Sequence, residues 1–308
     1  MSYADIMKRL YSNGVVILDG ATGTELERRG ADMHSDAWCG PANLHARQLL
    51  EQVHTDYIHA GAEIITTNTF ATSRMMLEPG GYADRIEDIY HNACAAAHQA
   101  RQNSNQANVL IAGSLSHMVP VPHGEPLQAD PYIGLGKQRF SAAIHEAAAL
   151  LKQGGCDLII AEMMYKPGRI EIVLDAAMAT GLPVWVGFSV RTSSDGKLIA
   201  HAHDREIPFA ELLDLLPVQG VDVAGVMHSN VTVTGSALAE LRSRFTGPLM
   251  AYPDSGYFRM PHWKFEEIIS PGDFKFAARE WINNGTQVIG GCCGLSVEHI
   301  RTLAELKR

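Results

Sequence analysis

Eight short, nearly continuous apolar runs, each closing in Gly or a polar residue, recur along the chain and constrain its fold more than any other feature. They are VVILDG (15–20), EIITTNTF (63–70), NVLIAGSLS (108–116), DLIIAEMM (157–164), PVWVGFSV (183–190), DVAGVMHSN (222–230), PLMAYPDS (248–255) and QVIGGCCG (287–294). Runs this short, apolar on both faces, suit parallel strands covered on each side. Helical stripes lie between them: Ile86, Ile89, Tyr90, Ala93 and Ala97 within 84–102; Leu238, Leu241 and Phe245 within 236–245; Val297, Ile300, Leu303 and Leu306 within 297–306. Eight strand–helix alternations predict an α/β fold of the (β/α)8 TIM-barrel type, with helices outside and every strand C-terminus at one end. An open doubly wound sheet is disfavoured, because DGATGTELERRG after the first strand lacks the spacing of a dinucleotide-binding glycine loop. The 308 residues suit one barrel, and no Pro/Ser-rich linker divides them, so residues 1–308 are expected to form a single domain. The stretch 255–270, SGYFRMPHWKFEEIIS, exceeds a plain strand–helix loop and reads either as a flap or as packing decoration.

Charge and composition narrow the partners. Twenty-five basic against 34 acidic residues, net −9, without a basic run, exclude nucleic acid and favour a small-molecule ligand. The opening MSYADIMKRLYSNG lacks the apolar stretch of a secretory signal, and no apolar run of about 18 residues could span a bilayer, so a cytoplasmic protein with no membrane partner is expected. The oligomeric state stays open, a homo-oligomer included.

In a barrel the chemistry sits at the strand C-termini. The polar residues there are Asp19, Thr67, Asn68, Ser114, Ser116, Glu162, Ser189, His228, Asp254, Cys292 and Cys293. With only five cysteines in the chain, the adjacency of Cys292 and Cys293 asks for a reason. A vicinal disulfide is strained, which leaves metal binding or inert burial. Neighbouring residues on a regular strand point to opposite faces, so both sulfurs reach one ion only where the strand ends and the chain turns, which Gly290, Gly291 and Gly294 permit. Catalytic zinc takes three protein ligands and keeps a fourth position for water or substrate. His228, closing the sixth run, is the candidate third ligand, and His117, just past the third run, is the weaker one. His228 also reads as a hydrogen-bonded core residue. Asp19 and Glu162 read as helix caps, as partners of a surface Arg, or as contacts for the ammonium group of an amino-acid substrate.

The chain as a whole resembles the zinc-dependent homocysteine S-methyltransferases. LDGATGTELERRG, HTDYIHAGAEIITTNTF, LIIAEMM and IGGCCGLSVEHI carry the resemblance, which runs from about residue 14 to the C-terminus. It implies a (β/α)8 barrel, a Zn²⁺ cofactor, methyl transfer to a thiol, and Cys292 and Cys293 as metal ligands. It also implies that Asp19 and Glu162 hold the amino group of homocysteine, and Thr67, Asn68 and Ser189 are assigned to the substrate side with them. The family's first zinc cysteine lies in a segment like GVNC, whereas this chain reads GVMHSN, placing Met227 and His228 where the family has Asn and Cys. His228 is therefore expected as the third ligand, and the change opens the acceptor to another thiol or a selenol.

Zinc deprotonates a thiol that is mostly protonated at neutral pH, where its pKa is about 8.5. A neutral ether or amine is a poor methyl donor, so an onium donor is expected, of S-methylmethionine, S-adenosylmethionine or betaine type, or else a methyl corrinoid on a separate partner, because the chain has no corrinoid domain. The rival readings are a metal-dependent hydrolase and a non-catalytic homologue that binds an amino acid or zinc. In GSLSHMVPVPHG, His117 and His123 read as loop decoration rather than as lining of a donor pocket.

Overall fold

Eight parallel strands form the wall of the barrel: β1 (Val16–Ile17), β2 (Ile64–Thr66), β3 (Leu110–Ser116), β4 (Leu158–Met164), β5 (Val184–Phe188), β6 (Val223–Asn230), β7 (Leu249–Asp254) and β8 (Thr286–Ile289). The computed structural model describes residues 2–34, 37–120, 136–258 and 265–307. Hydrogen-bonded neighbours run from β1 through β8, β7, β6, β5, β4 and β3 to β2, and a parallel bridge between Leu18 and Ile64 closes the ring. Each of the eight apolar runs contributes one strand, and a helix follows each strand on the outside, as the crossover rule requires. The three helices read from apolar stripes are Ile86–Asn103, Val231–Arg242 and Val297–Ala304.

The two-residue pleat divides the strand side chains between two cores. Val16, Leu18, Ile64, Leu110, Ala112, Leu158, Ile160, Trp185, Val223, Met250 and Val288 fill the barrel. Their alternate neighbours Ile17, Ile65, Ile111, Ile159, Val186, Ala224 and Ile289 pack outward beneath the helices.

The N-terminal helix α1 (Tyr3–Tyr11) closes the N-terminal end of the barrel. Ser2 and Asp5 form a capping box at its start. Ile6 and Leu10, both fully buried, belong to the interior core rather than to the outer one. Trp185 Nε1 donates to Tyr3 Oη at 3.0 Å, and Tyr3 Oη donates to Asp222 at 2.6 Å, which fastens the plug to β5 and to the approach to β6.

Two small antiparallel pairs decorate the opposite, C-terminal end: Val190–Thr192 with Leu198–Ala200, and Tyr257–Phe258 with Phe265–Glu266. The second pair lies in the long 255–270 stretch, whose residues 259–264 are outside the described residues. Among the described residues no helix is long and apolar enough to cross a membrane.

Truncating a fully buried Leu removes its transfer energy and leaves a cavity. Leu10→Ala is therefore expected to lower unfolding stability by about 2–5 kcal/mol in urea titration. A loss below about 1 kcal/mol would show that α1 is not an integral plug.

Candidate metal centre

β6 and β8 bring three metal-ligating side chains to the C-terminal mouth of the barrel. One ligand atom from each of His228, Cys292 and Cys293 lies within 4.8 Å of the others. Cys292 Sγ is 3.2 Å from His228 Nδ1 and 3.8 Å from Cys293 Sγ. His117 is not in the group.

The side chains converge because the pleat is broken there. Val223 and Met227 point into the barrel, so strict alternation would send His228 outward. Instead the β6–β7 register shifts between Met227 and Asn230, and His228 adopts a φ of 45°. A bulge of this kind re-aims a side chain, and the left-handed backbone of a non-glycine residue costs about 1–3 kcal/mol. The same device recurs on β4, where the register with β5 shifts between Ala161 and Met164 and Met163 has a φ of 61°.

The cysteine turn is held from both sides. Cys292 N donates to Pro253 O at 2.6 Å, Ser255 N donates to Cys293 O at 3.0 Å, and Gly291 N donates to Asp19 O at 3.2 Å. Gly294 is required here: its φ is 81°, and a Cβ would fall 2.1 Å from Ser255 O.

Around these three side chains lies a buried polar shell. His228 Nε2 meets Glu162 Oε1 at 2.8 Å, and the other Glu162 oxygen accepts from Ser114 Oγ. Ser189 Oγ donates to His228 O at 2.6 Å. Phe70 stacks on the imidazole with centroids 5.0 Å apart and an interplanar angle of 22°, and Trp38 stacks on Phe70 at 5.9 Å.

Asp19 accepts from Thr66 N at 2.6 Å, from Thr66 Oγ1 at 3.0 Å and from Tyr252 Oη at 3.1 Å. Thr67 Oγ1 pairs with Thr69 and accepts from Ser114 N. Both ends of the Asn68 amide are engaged, by Cys39 and Asn43. Glu162 and Ser189 thus touch His228 directly, whereas Asp19, Thr67 and Asn68 tie neighbouring strands and loops together. Sequence reasoning missed Phe70, Trp38 and Tyr252, whose aromatic identity was visible but whose position at the mouth was not.

Titration follows burial and mutual charge. Burial lifts the Asp19 carboxyl to about 8 against its hydrogen bonds. Burial and the neighbouring Cys293 lift Asp254 to about 7, and Asp254 Oδ1 has no hydrogen-bond partner among the described residues. Burial acts to depress His228, but hydrogen bonds to Cys293 and Glu162 outweigh it and raise the ring to about 10. The hydrogen bond from Cys292 holds Cys293 down to about 5 against the pull of burial, while burial raises Cys292.

His117 is fully buried rather than loop decoration. Its Nε2 accepts from Tyr165 N at 3.0 Å, and its Nδ1 has no hydrogen-bond partner among the described residues. His123 lies outside the described residues.

The family model described as homocysteine S-methyltransferase matches residues 16–306. Homocysteine S-methyltransferase 3 of Zea mays is 27% identical over 312 residues, covering 95% of this chain and 90% of that protein. Betaine–homocysteine S-methyltransferase 1 of Mus musculus is 26% identical, covering 97% and 74%. Among solved structures, the metallated homocysteine methyltransferase MmuM of Escherichia coli superposes with a TM-score of 0.75 at 25% identity, covering 98% of this chain and 99% of that one.

Burial, with Arg169 nearby, pushes His117 down to about 3. The unfolded chain therefore binds a proton at this site that the folded chain refuses, and stability is lost as pH falls below the ordinary histidine value of about 6.5. Between pH 8 and 5 the His117 contribution should fall by about 2 kcal/mol. A His117→Gln variant should show a correspondingly flatter stability–pH curve in denaturant titrations, and an unchanged slope would remove His117 as its cause.

Proposed function

The chain belongs to the homocysteine S-methyltransferase family, and on that premise we propose that it is a zinc enzyme moving a methyl group from an onium donor to the sulfur of homocysteine, giving methionine. One observation carries the reading: His228, Cys292 and Cys293 are gathered within 4.8 Å at the end of the barrel where such enzymes do their chemistry. The donor set fits zinc, with two sulfurs and one imidazole nitrogen as three protein ligands and a fourth position for substrate. Zinc held there supplies acidification of an incoming thiol, so that its sulfur can act as nucleophile at neutral pH.

The surrounding residues supply the rest. Asp19 puts a buried carboxylate beside the ligand group, suited to the acceptor's ammonium, a role that the family resemblance implies for Glu162 as well. An ammonium at Asp19 would offset the burial that otherwise raises its pKa and would keep it ionised. Thr67 acts through Thr69 and Ser114, Asn68 through Cys39 and Asn43, and Ser189 through the His228 carbonyl. An onium donor, a sulfonium or quaternary ammonium, is favoured because a neutral ether or amine is a poor source of methyl. The whole of 1–308 serves as one homocysteine-binding barrel acting on small molecules. Five free cysteines, with Cys94 and Cys156 only 3.9 Å apart and unbonded, are consistent with a reducing, cytoplasmic setting.

The purified protein is expected to carry about one zinc per chain, as three protein ligands imply. It should methylate homocysteine from at least one of S-methylmethionine, S-adenosylmethionine and betaine. His228→Ala should lose both zinc and transfer, and His228→Cys should retain zinc. Full zinc occupancy with no transfer to homocysteine from any of the three donors would sink this reading.

A further inference from the structure

We propose that Glu162 is a positioning residue for His228, and that the two together stand in for a single thiolate ligand. The inference rests on the metal reading above. It departs from the role that family resemblance gives Glu162, a contact to the substrate amino group.

The contact is specific. Glu162 Oε1 meets His228 Nε2 at 2.8 Å, and both side chains are nearly sealed from solvent, with side-chain exposures of 9% and 10%. An imidazole that donates its Nε2–H to this carboxylate keeps its lone pair on Nδ1, the ring nitrogen nearer Cys292 Sγ, at 3.2 Å against 3.4 Å for Nε2. Three further contacts fix the pair. Ser114 Oγ donates to the second Glu162 oxygen, Phe70 lies parallel to the ring, and Ser189 holds the His228 carbonyl. Glu162 reaches the ring by ordinary strand alternation, since Leu158 and Ile160 also face the interior. His228 reaches it only through the break in β6.

The chemistry gives the arrangement a purpose. A cysteine thiolate brings a metal both an electron pair and a negative charge, whereas a neutral imidazole brings only the pair. A carboxylate on the far ring nitrogen supplies the missing charge through the hydrogen bond, fixes the tautomer and makes the ligating nitrogen more basic.

Three variants test this: Glu162→Ala, Glu162→Gln and Glu162→Ala combined with His228→Cys. The readouts are zinc affinity by chelator competition and the visible d–d spectrum of the Co²⁺-loaded protein. Loss of an outer carboxylate on a ligating His typically lowers metal affinity about 10- to 100-fold, and that is the expectation for Glu162→Ala, with a shifted Co²⁺ spectrum. Glu162→Gln keeps an acceptor and should fall between it and the wild type. In the His228→Cys background, removing Glu162 should change zinc affinity by less than about threefold, because no ring remains to be oriented.

Equal losses in both backgrounds would mean general collapse of the site and would overturn the proposal. So would unchanged metal affinity in Glu162→Ala with a homocysteine KM raised more than tenfold, which would return the carboxylate to the substrate. A wild-type protein that takes up no metal refutes the metal reading itself, an outcome distinct from either.

Discussion

The pleat of a parallel barrel strand allows its side chains only two directions, and the rest of this structure depends on where that rule is kept and where it is broken. Kept, it sorts Val16, Leu18, Ile160, Val223, Met250 and Val288 into the barrel and sends Ile17, Ile159, Ala224 and Ile289 under the helices. One interior is thereby sealed at its N-terminal end by Ile6 and Leu10 and left polar at the other. Broken at His228, it turns Met227 and His228 to the same side and builds a cluster that a regular β6 could not assemble. Each left-handed residue costs about 1–3 kcal/mol, a cost the surrounding close-packed barrel is large enough to absorb.

The second constraint is electrostatic. Asp19, Glu162, Asp254 and the cysteine pair crowd negative-capable groups into a largely buried mouth. Burial is the larger cause that pushes Asp19 and Asp254 towards their neutral forms, with repulsion from Glu162 and Cys293 adding to it, while hydrogen bonds to Cys293 and Glu162 draw His228 towards its charged form. A cation relieves this frustration. The proposed acceptor ammonium, onium donor and metal would each bring such a positive charge.

The barrel was legible in the sequence because its signal repeats: eight runs of similar length, each apolar on both faces, leave few other folds open. The paired cysteines were legible for a related reason, since their glycine-rich context marks a strand end that turns. The plug was not. YADIMKRLY reads as any amphipathic helix, and nothing in its pattern says that Ile6 and Leu10 face the barrel interior rather than its outer wall. Nor could periodicity foresee the bulge at His228, because a break in alternation is set by register against β7 and not by the residues of β6 themselves. Burial of His117 escaped notice for a simpler reason. A histidine after a strand and before a Pro-rich loop looks solvated until Tyr165 is seen to cover it.

Replacing a thiolate by an imidazole is not a local exchange. The ring is larger, flat and neutral, and it presents two nitrogens where sulfur presents one atom. A chain that makes the change must choose the nitrogen, set the plane and restore the charge. Here the three tasks fall to two residues on different elements: Glu162 on β4 meets Nε2 and brings the charge, and Phe70 after β2 lies against the ring face. Ser189 after β5 then fixes the backbone from which the ring projects. So many separate elements converge on one side chain that His228 reads as the centre of a built site, not as a cysteine lost.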